Sequence, residues 1–140
     1  MSISTVPDIS LGNLLFRRAQ LTPKRRALTF EGDTLTFEQL SERVRRLAAN
    51  LRDNGICRGD RVGYIGFNHP VFLETLFAAS SLGAIFVPLN FRLSGPEVRF
   101  IANDAGLHTL IVDNQMQSVI EAEADNLCCR RYLAAEPDAK

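Results

Sequence analysis

From Arg61 onward the chain alternates short apolar runs with helical stretches, and no other feature limits its fold as strongly. Arg61-Val62-Gly63-Tyr64-Ile65-Gly66 reads as a strand, and Ile85-Phe86-Val87, Thr109-Leu110-Ile111-Val112 and residues 129–133 repeat the pattern. Between them, Pro70 opens a helix carrying Phe72, Leu73, Leu76, Phe77 and Leu82. Ser94-Gly95-Pro96-Glu97 opens a second, with Pro96 and Glu97 where a helix N-terminus favours them. Residues 115–123 read as a third. Strand and helix alternating at this spacing predict an α/β fold, a mostly parallel sheet flanked by helices.

The first sixty residues add a different unit. Ser10 can cap a helix in which Leu11, Leu14, Leu15 and Ala19 share a face, and Pro23 ends it. Ala27-Leu28-Thr29-Phe30, the turn Glu31-Gly32-Asp33 and Thr34-Leu35-Thr36 predict a small β-hairpin. Thr36 and Gln39 fit a capping box. The helix they open has a core stripe of Leu40, Val44, Leu47, Ala48 and Leu51 and stops at Gly55. Its other side, Glu42, Arg43, Arg45, Arg46, Asn50 and Asp53, reads as a solvated face rather than a membrane surface. The expected organisation is a leader at 1–9, one α/β subdomain at 10–134 and an unstructured tail at 135–140.

A chain of 140 residues can bury a real core, and its 46% hydrophobic and 23% charged content suits a soluble domain. Net charge is zero, which argues against nucleic acid as a partner. Residues 1–70 carry +4 and residues 71–140 carry −4, an imbalance read as attraction within one fold. No apolar run approaches the ~20 residues a bilayer needs, and the N-terminus lacks the features of a signal peptide. Cys57, Cys128 and Cys129 form no disulfide framework and no zinc spacing. A reducing cytoplasm is expected, with a peripheral position at a membrane left open.

Few residues offer chemistry. His69 and His108 stand in no nucleophile motif, and no Gly-x-Ser-x-Gly elbow occurs. His69, before Pro70, reads as a helix-start residue. Neither a P-loop nor Gly-x-Gly-x-x-Gly is present, so Gly63, Gly66 and Gly83 read as packing or turn glycines. Asp60 is expected to pair with Arg58 or Arg61. No catalytic or metal-ligating residue is assigned. Arg92 differs. A strand ending at Val87, its ladder stopped by Pro88, places Arg92 just past a carboxyl end, where α/β sheets bind ligands. A guanidinium fork there suits a phosphate, and an ion pair with Glu97 or Asp104 is the alternative.

Leu35-Thr36-Phe37-Glu38-Gln39-Leu40, Gly59-Asp60-Arg61-Val62, Asn68 and the run from Leu82 through Pro88-Leu89-Asn90-Phe91-Arg92-Leu93 form an ordered series. It resembles the start of adenylate-forming enzymes, most of all the fatty-acyl-CoA ligases, from about residue 11 to about residue 112. The resemblance implies part of the large N-terminal domain of an acyl-CoA synthetase. Such enzymes join a carboxylate to ATP, with Mg²⁺, and pass the acyl group from the adenylate to coenzyme A. Their phosphate loop, adenine and Mg²⁺ motifs and catalytic lysine match nothing here, so this chain alone is expected to be inactive, with no cofactor firmly its own. By the same resemblance, Arg92 contacts the phosphates of the CoA nucleotide, and Arg99 is a second CoA contact. Phe91 stands where many relatives have proline, which leaves the loop less constrained. The expected partners are the remainder of the ligase or further copies of the chain as a homo-oligomer, with fatty acid and CoA as substrates. The alternative is a non-catalytic binding or oligomerisation module that keeps the fold.

Overall fold

In a computed structural model the described residues are 10–133, so the leader at 1–9 and the tail at 135–140 lie outside them. The protein begins with α1 (Leu11–Leu21), capped where Ser10 Oγ accepts the Asn13 N–H at 3.1 Å. β1 (Arg26–Phe30) and β2 (Asp33–Thr36) pair antiparallel. Glu31 and Gly32 between them both have positive φ, +49° and +90°, which gives the turn that matches strand twist. Thr36 then opens α2 (Phe37–Asp53) with a reciprocal capping box to Gln39.

The alternating region follows as β3 (Arg61–Ile65), α3 (Pro70–Ser81), β4 (Ile85–Leu89), α4 (Gly95–Asp104), β5 (Thr109–Val112), α5 (Gln117–Glu121) and β6 (Arg130–Leu133). The four strands form a parallel sheet in the order β4-β3-β5-β6. The single helix expected at 115–123 is instead the short α5, between 3₁₀ turns at Asn114–Met116 and Ala124–Asn126. Met116 and Ile120 are its buried residues, a face too narrow to hold a longer helix.

Both faces of the sheet are covered. Val62, Tyr64 and Ile111 point into a core with Leu15, Leu40, Val44, Leu51 and Ala78 from α1, α2 and α3. Ile65, Leu110 and Val112 point the other way, onto Val98, Ala102, Met116 and Ile120. Each large apolar side chain buried this way contributes about 1.5–3 kcal/mol. Because period-two alternation sends successive residues to opposite cores, residues 62–65 of β3 and 110–112 of β5 are apolar without a break. No helix among the described residues is long and apolar enough to cross a membrane.

Three local expectations need correction. Pro88 does not stop the ladder, because β4 runs to Leu89, with Pro88 opposite Tyr64 and Leu89 opposite Ile65. β4 is an edge strand, and the Ile85 N–H reaches inward to the Asp60 carbonyl at 2.7 Å. Alternation therefore turns residue 88 outward, where a missing N–H removes no ladder bond. The basic side of α2 is not wholly solvated either. Arg43 Nε lies 2.7 Å from Oε1 of Glu74, whose side chain is only 8% exposed in the α2–α3 interface. A carboxylate held there needs a partner, and Arg43 supplies it. Finally, Asp60 accepts the Cys57 N–H at 2.7 Å instead of pairing with an arginine. The Arg61 guanidinium goes to the carbonyls of Gly59, Ala105 and Gly106.

Candidate functional site

Parallel pairing brings the carboxyl ends of β3, β4 and β5 to one edge, with Ile65 opposite both Leu89 and Val112. Three loops leave that edge, carrying Gly66-Phe67-Asn68, Asn90-Phe91-Arg92 and Asp113-Asn114. β4 and β5 lie on opposite sides of β3, so chain connections diverge beside β3, the usual place for a ligand crevice. Here the β3 and β5 loops touch. A Cβ on Gly66 would fall 2.4 Å from the Asp113 Cβ, so glycine is what permits the approach.

Tyr64 is 1% exposed, and its hydroxyl donates to the Phe67 carbonyl at 3.2 Å. Burial, and secondarily the Asp113 charge, push its pKa up to about 12, so it stays a neutral donor. The Phe67 ring lies against the Phe91 ring with centroids 4.4 Å apart and planes inclined by 31°. Asn90 starts a four-residue turn, its carbonyl accepting the Leu93 N–H at 3.1 Å and its Oδ1 the Arg92 N–H at 3.0 Å. Phe91 occupies the second turn position, where the fixed φ of proline is favoured. The loop with phenylalanine there is tied down by the Phe67–Phe91 contact instead.

Arg92 is exposed, with Cζ 5.2 Å from the centre of the Phe91 ring. It forms no ion pair among the described residues. The two acidic candidates do not reach it. Glu97 instead accepts from the Ser94 N–H at 2.8 Å and Oγ at 2.7 Å, bonds that hold its carboxyl below the ordinary range. Arg99 is placed differently. Its Nη1 is 2.8 Å from Oε2 of Glu123, which is 12% exposed, so its charge is matched within the fold and ties α4 to the segment after α5. The edge thus offers one unmatched guanidinium on a tethered loop, a geometry suited to phosphate oxygens.

The histidines serve structure. His69 caps α3, its Nδ1 accepting the Val71 N–H at 3.3 Å and its ring meeting Phe30 edge-on at 5.2 Å. His108 Nδ1 sits 2.9 Å from Thr109 Oγ1. No three His, Cys, Asp or Glu residues among those described could share a metal ion. Sequence reasoning missed the Phe67–Phe91 contact. Each phenylalanine lies two residues beyond a strand end, but only the register of β3 against β4 brings those ends together.

Residues 15–139 match the family described as AMP-binding enzyme. Feruloyl-CoA synthase of an Amycolatopsis species is 50% identical over 92% of this chain, which spans 26% of that protein. Indoleacetate–CoA ligase of Aromatoleum aromaticum is 39% identical over 85% of the chain and 23% of the ligase. Among solved structures, the N-terminal domain of FACL13 from Mycobacterium tuberculosis superposes with a TM-score of 0.83 at 30% identity, covering 89% of this chain and 33% of that one. A fatty acyl CoA synthetase of the same organism gives 0.82 at 30% identity, covering 89% and 26%. The chain therefore spans about a quarter of the length of the curated relatives it matches.

Proposed function

The chain belongs to the AMP-binding enzymes, and from that premise we propose that it is the N-terminal segment of an ATP-dependent acyl-CoA ligase whose Arg92 holds phosphate oxygens of coenzyme A. In such a ligase the carboxylate of the acid attacks the α-phosphorus of ATP, giving an acyl-adenylate and pyrophosphate. The CoA thiol then attacks the acyl carbon, and AMP leaves. The groups that bind ATP and Mg²⁺ belong to the remainder of the enzyme, and this segment alone has no activity. Its contribution is the sheet edge that presents Arg92.

The observation that carries this reading is the exposed Arg92 just past the carboxyl end of β4, with no ion-pair partner among the described residues. Arg99 is the weaker contact, since a ligand phosphate would have to compete with Glu123 for it. For the acid, the resemblance to fatty-acyl-CoA ligases and the superposition on a fatty acyl CoA synthetase support a fatty acid. The higher identity to enzymes named for feruloyl-CoA and indoleacetate supports an aromatic one, and we favour the aromatic class. Phe100, Leu21 and Ile85 are 70%, 68% and 52% exposed. Surface of this kind is covered by the rest of a ligase or, in the isolated segment, by another copy.

Pyrophosphate release by the full-length ligase, measured against a panel of fatty and aromatic acids, tests the assignment. Acid-dependent release followed by CoA thioester formation is expected. Absence of any acid-dependent release, or transfer to an acceptor other than CoA, would overturn it.

A further inference from the structure

We infer that Phe67 is a positioning residue for Arg92, an inference that rests on Arg92 being the phosphate ligand proposed above. An exposed arginine loses much rotamer freedom when it binds, so a ligand site gains from restricting it beforehand. The Phe91 ring beneath the guanidinium can do this only if the ring itself is fixed. The hydrogen bonds of the turn at 90–93 involve Asn90, Arg92 and Leu93 and do not reach the Phe91 side chain, which is half-buried against the core cluster that includes Leu89 and Val98. Phe67 supplies the aromatic support, with its ring 4.4 Å from that of Phe91.

Phe67 is in turn anchored to the core. Its carbonyl takes the hydroxyl of Tyr64, a residue of the central strand that is 1% exposed, and the preceding Gly66 is closed against Asp113. Phe67 itself remains 39% exposed, so burial in a core does not account for a phenylalanine there. Its ring contact is with Phe91. A continuous chain of contacts therefore runs from β3 through Tyr64, Phe67 and Phe91 to the guanidinium of Arg92. It does the work that a proline at position 91 would do through the backbone alone.

Steady-state kinetics of the full-length ligase separate this role from simple loop packing. Phe67→Leu keeps apolar bulk but removes the ring, and should raise KM for CoA by about two- to tenfold, the span an aromatic pair supports, with KM for ATP and ATP–pyrophosphate exchange unchanged. Phe67→Tyr keeps the ring and should restore KM for CoA to the unsubstituted value. In the Arg92→Ala background, Phe67→Leu should add nothing, because the group it positions is gone. The inference fails if Phe67→Leu leaves KM for CoA unchanged while Arg92→Ala raises it, or if the two effects multiply in the double variant. If Arg92→Ala itself leaves KM for CoA unchanged, the ligand assignment is what falls, and the positioning role falls with it.

Discussion

Replacing Gly66 by alanine is the smallest change that should disturb the carboxyl edge of the sheet. The added Cβ would sit 2.4 Å from the Asp113 Cβ, 2.7 Å from the Tyr64 hydroxyl and 3.0 Å from Asp113 Oδ2. Carbon atoms in contact prefer about 3.5–4.0 Å, so the gap must open by roughly 1 Å. Rotation of the Asp113 side chain cannot open it, because Cβ is bonded directly to the backbone. That backbone is also held, the Asp113 N–H donating to the Ile65 carbonyl at 2.9 Å. Overpacking of this kind costs about 1–3 kcal/mol. Gly66 is not among the positive-φ glycines, so alanine also stiffens the unfolded chain and recovers about 0.4–1 kcal/mol. The net loss should be on the order of 1–2 kcal/mol, a fall in Tm of about 3–10 °C for a domain of this size. Scanning calorimetry of the 140-residue chain measures it. An unchanged or raised Tm would show that the β3 and β5 loops are not closed on each other.

Tyr64 should make the fold sensitive to alkali. Its phenol ionises near 10.0 when unfolded and near 12 when folded, so the stability it confers is fully present below pH 10 and is lost as pH rises toward 12. Tyr64→Phe should flatten the dependence of urea midpoint on pH across that window, and an identical slope in both proteins would contradict the buried assignment. Removing Glu74 as Glu74→Ala should cost about 1–3 kcal/mol in urea denaturation, less than for a fully buried pair because Arg43 is partly exposed and can turn to water. A loss below about 0.5 kcal/mol would mean that the pair adds no more than a surface one does. In light scattering, the isolated chain should grow in mass with concentration through one or more of the exposed Phe100, Leu21 and Ile85, which lie on separate elements, and a monomer at every concentration would count against any of them forming an interface.

The elements were legible in the sequence where local signals and tertiary packing agree. Ser10, the Thr36–Gln39 capping box, the Glu31-Gly32 turn and the doubly buried β3 and β5 stand as their residue patterns predict. What escaped depends on neighbours remote in the chain. Pro88 looks like a terminator until the order of strands puts β4 at an edge, with residue 88 facing out. Arg43 looks solvated until α3 brings a buried Glu74 against it. At the candidate site, Arg92 could be read from its distance past a strand end. The aromatic tether beneath it could not, because it needs the register of β3 against β4. Glu97 illustrates a third case, in which a plausible ion-pair partner is already engaged by the helix terminus.

The central claim is that Arg92 serves CoA and not ATP. The most direct measurement is single-turnover acyl transfer from preformed acyl-adenylate in the full-length ligase, followed against CoA concentration for the unsubstituted enzyme and for Arg92→Ala. Losing one charge-assisted contact to phosphate costs about 1.5–3 kcal/mol, so the half-saturating CoA concentration should rise roughly ten- to a hundredfold while adenylate formation from ATP stays the same. An equal loss in both half-reactions, or none in acyl transfer, would contradict the account.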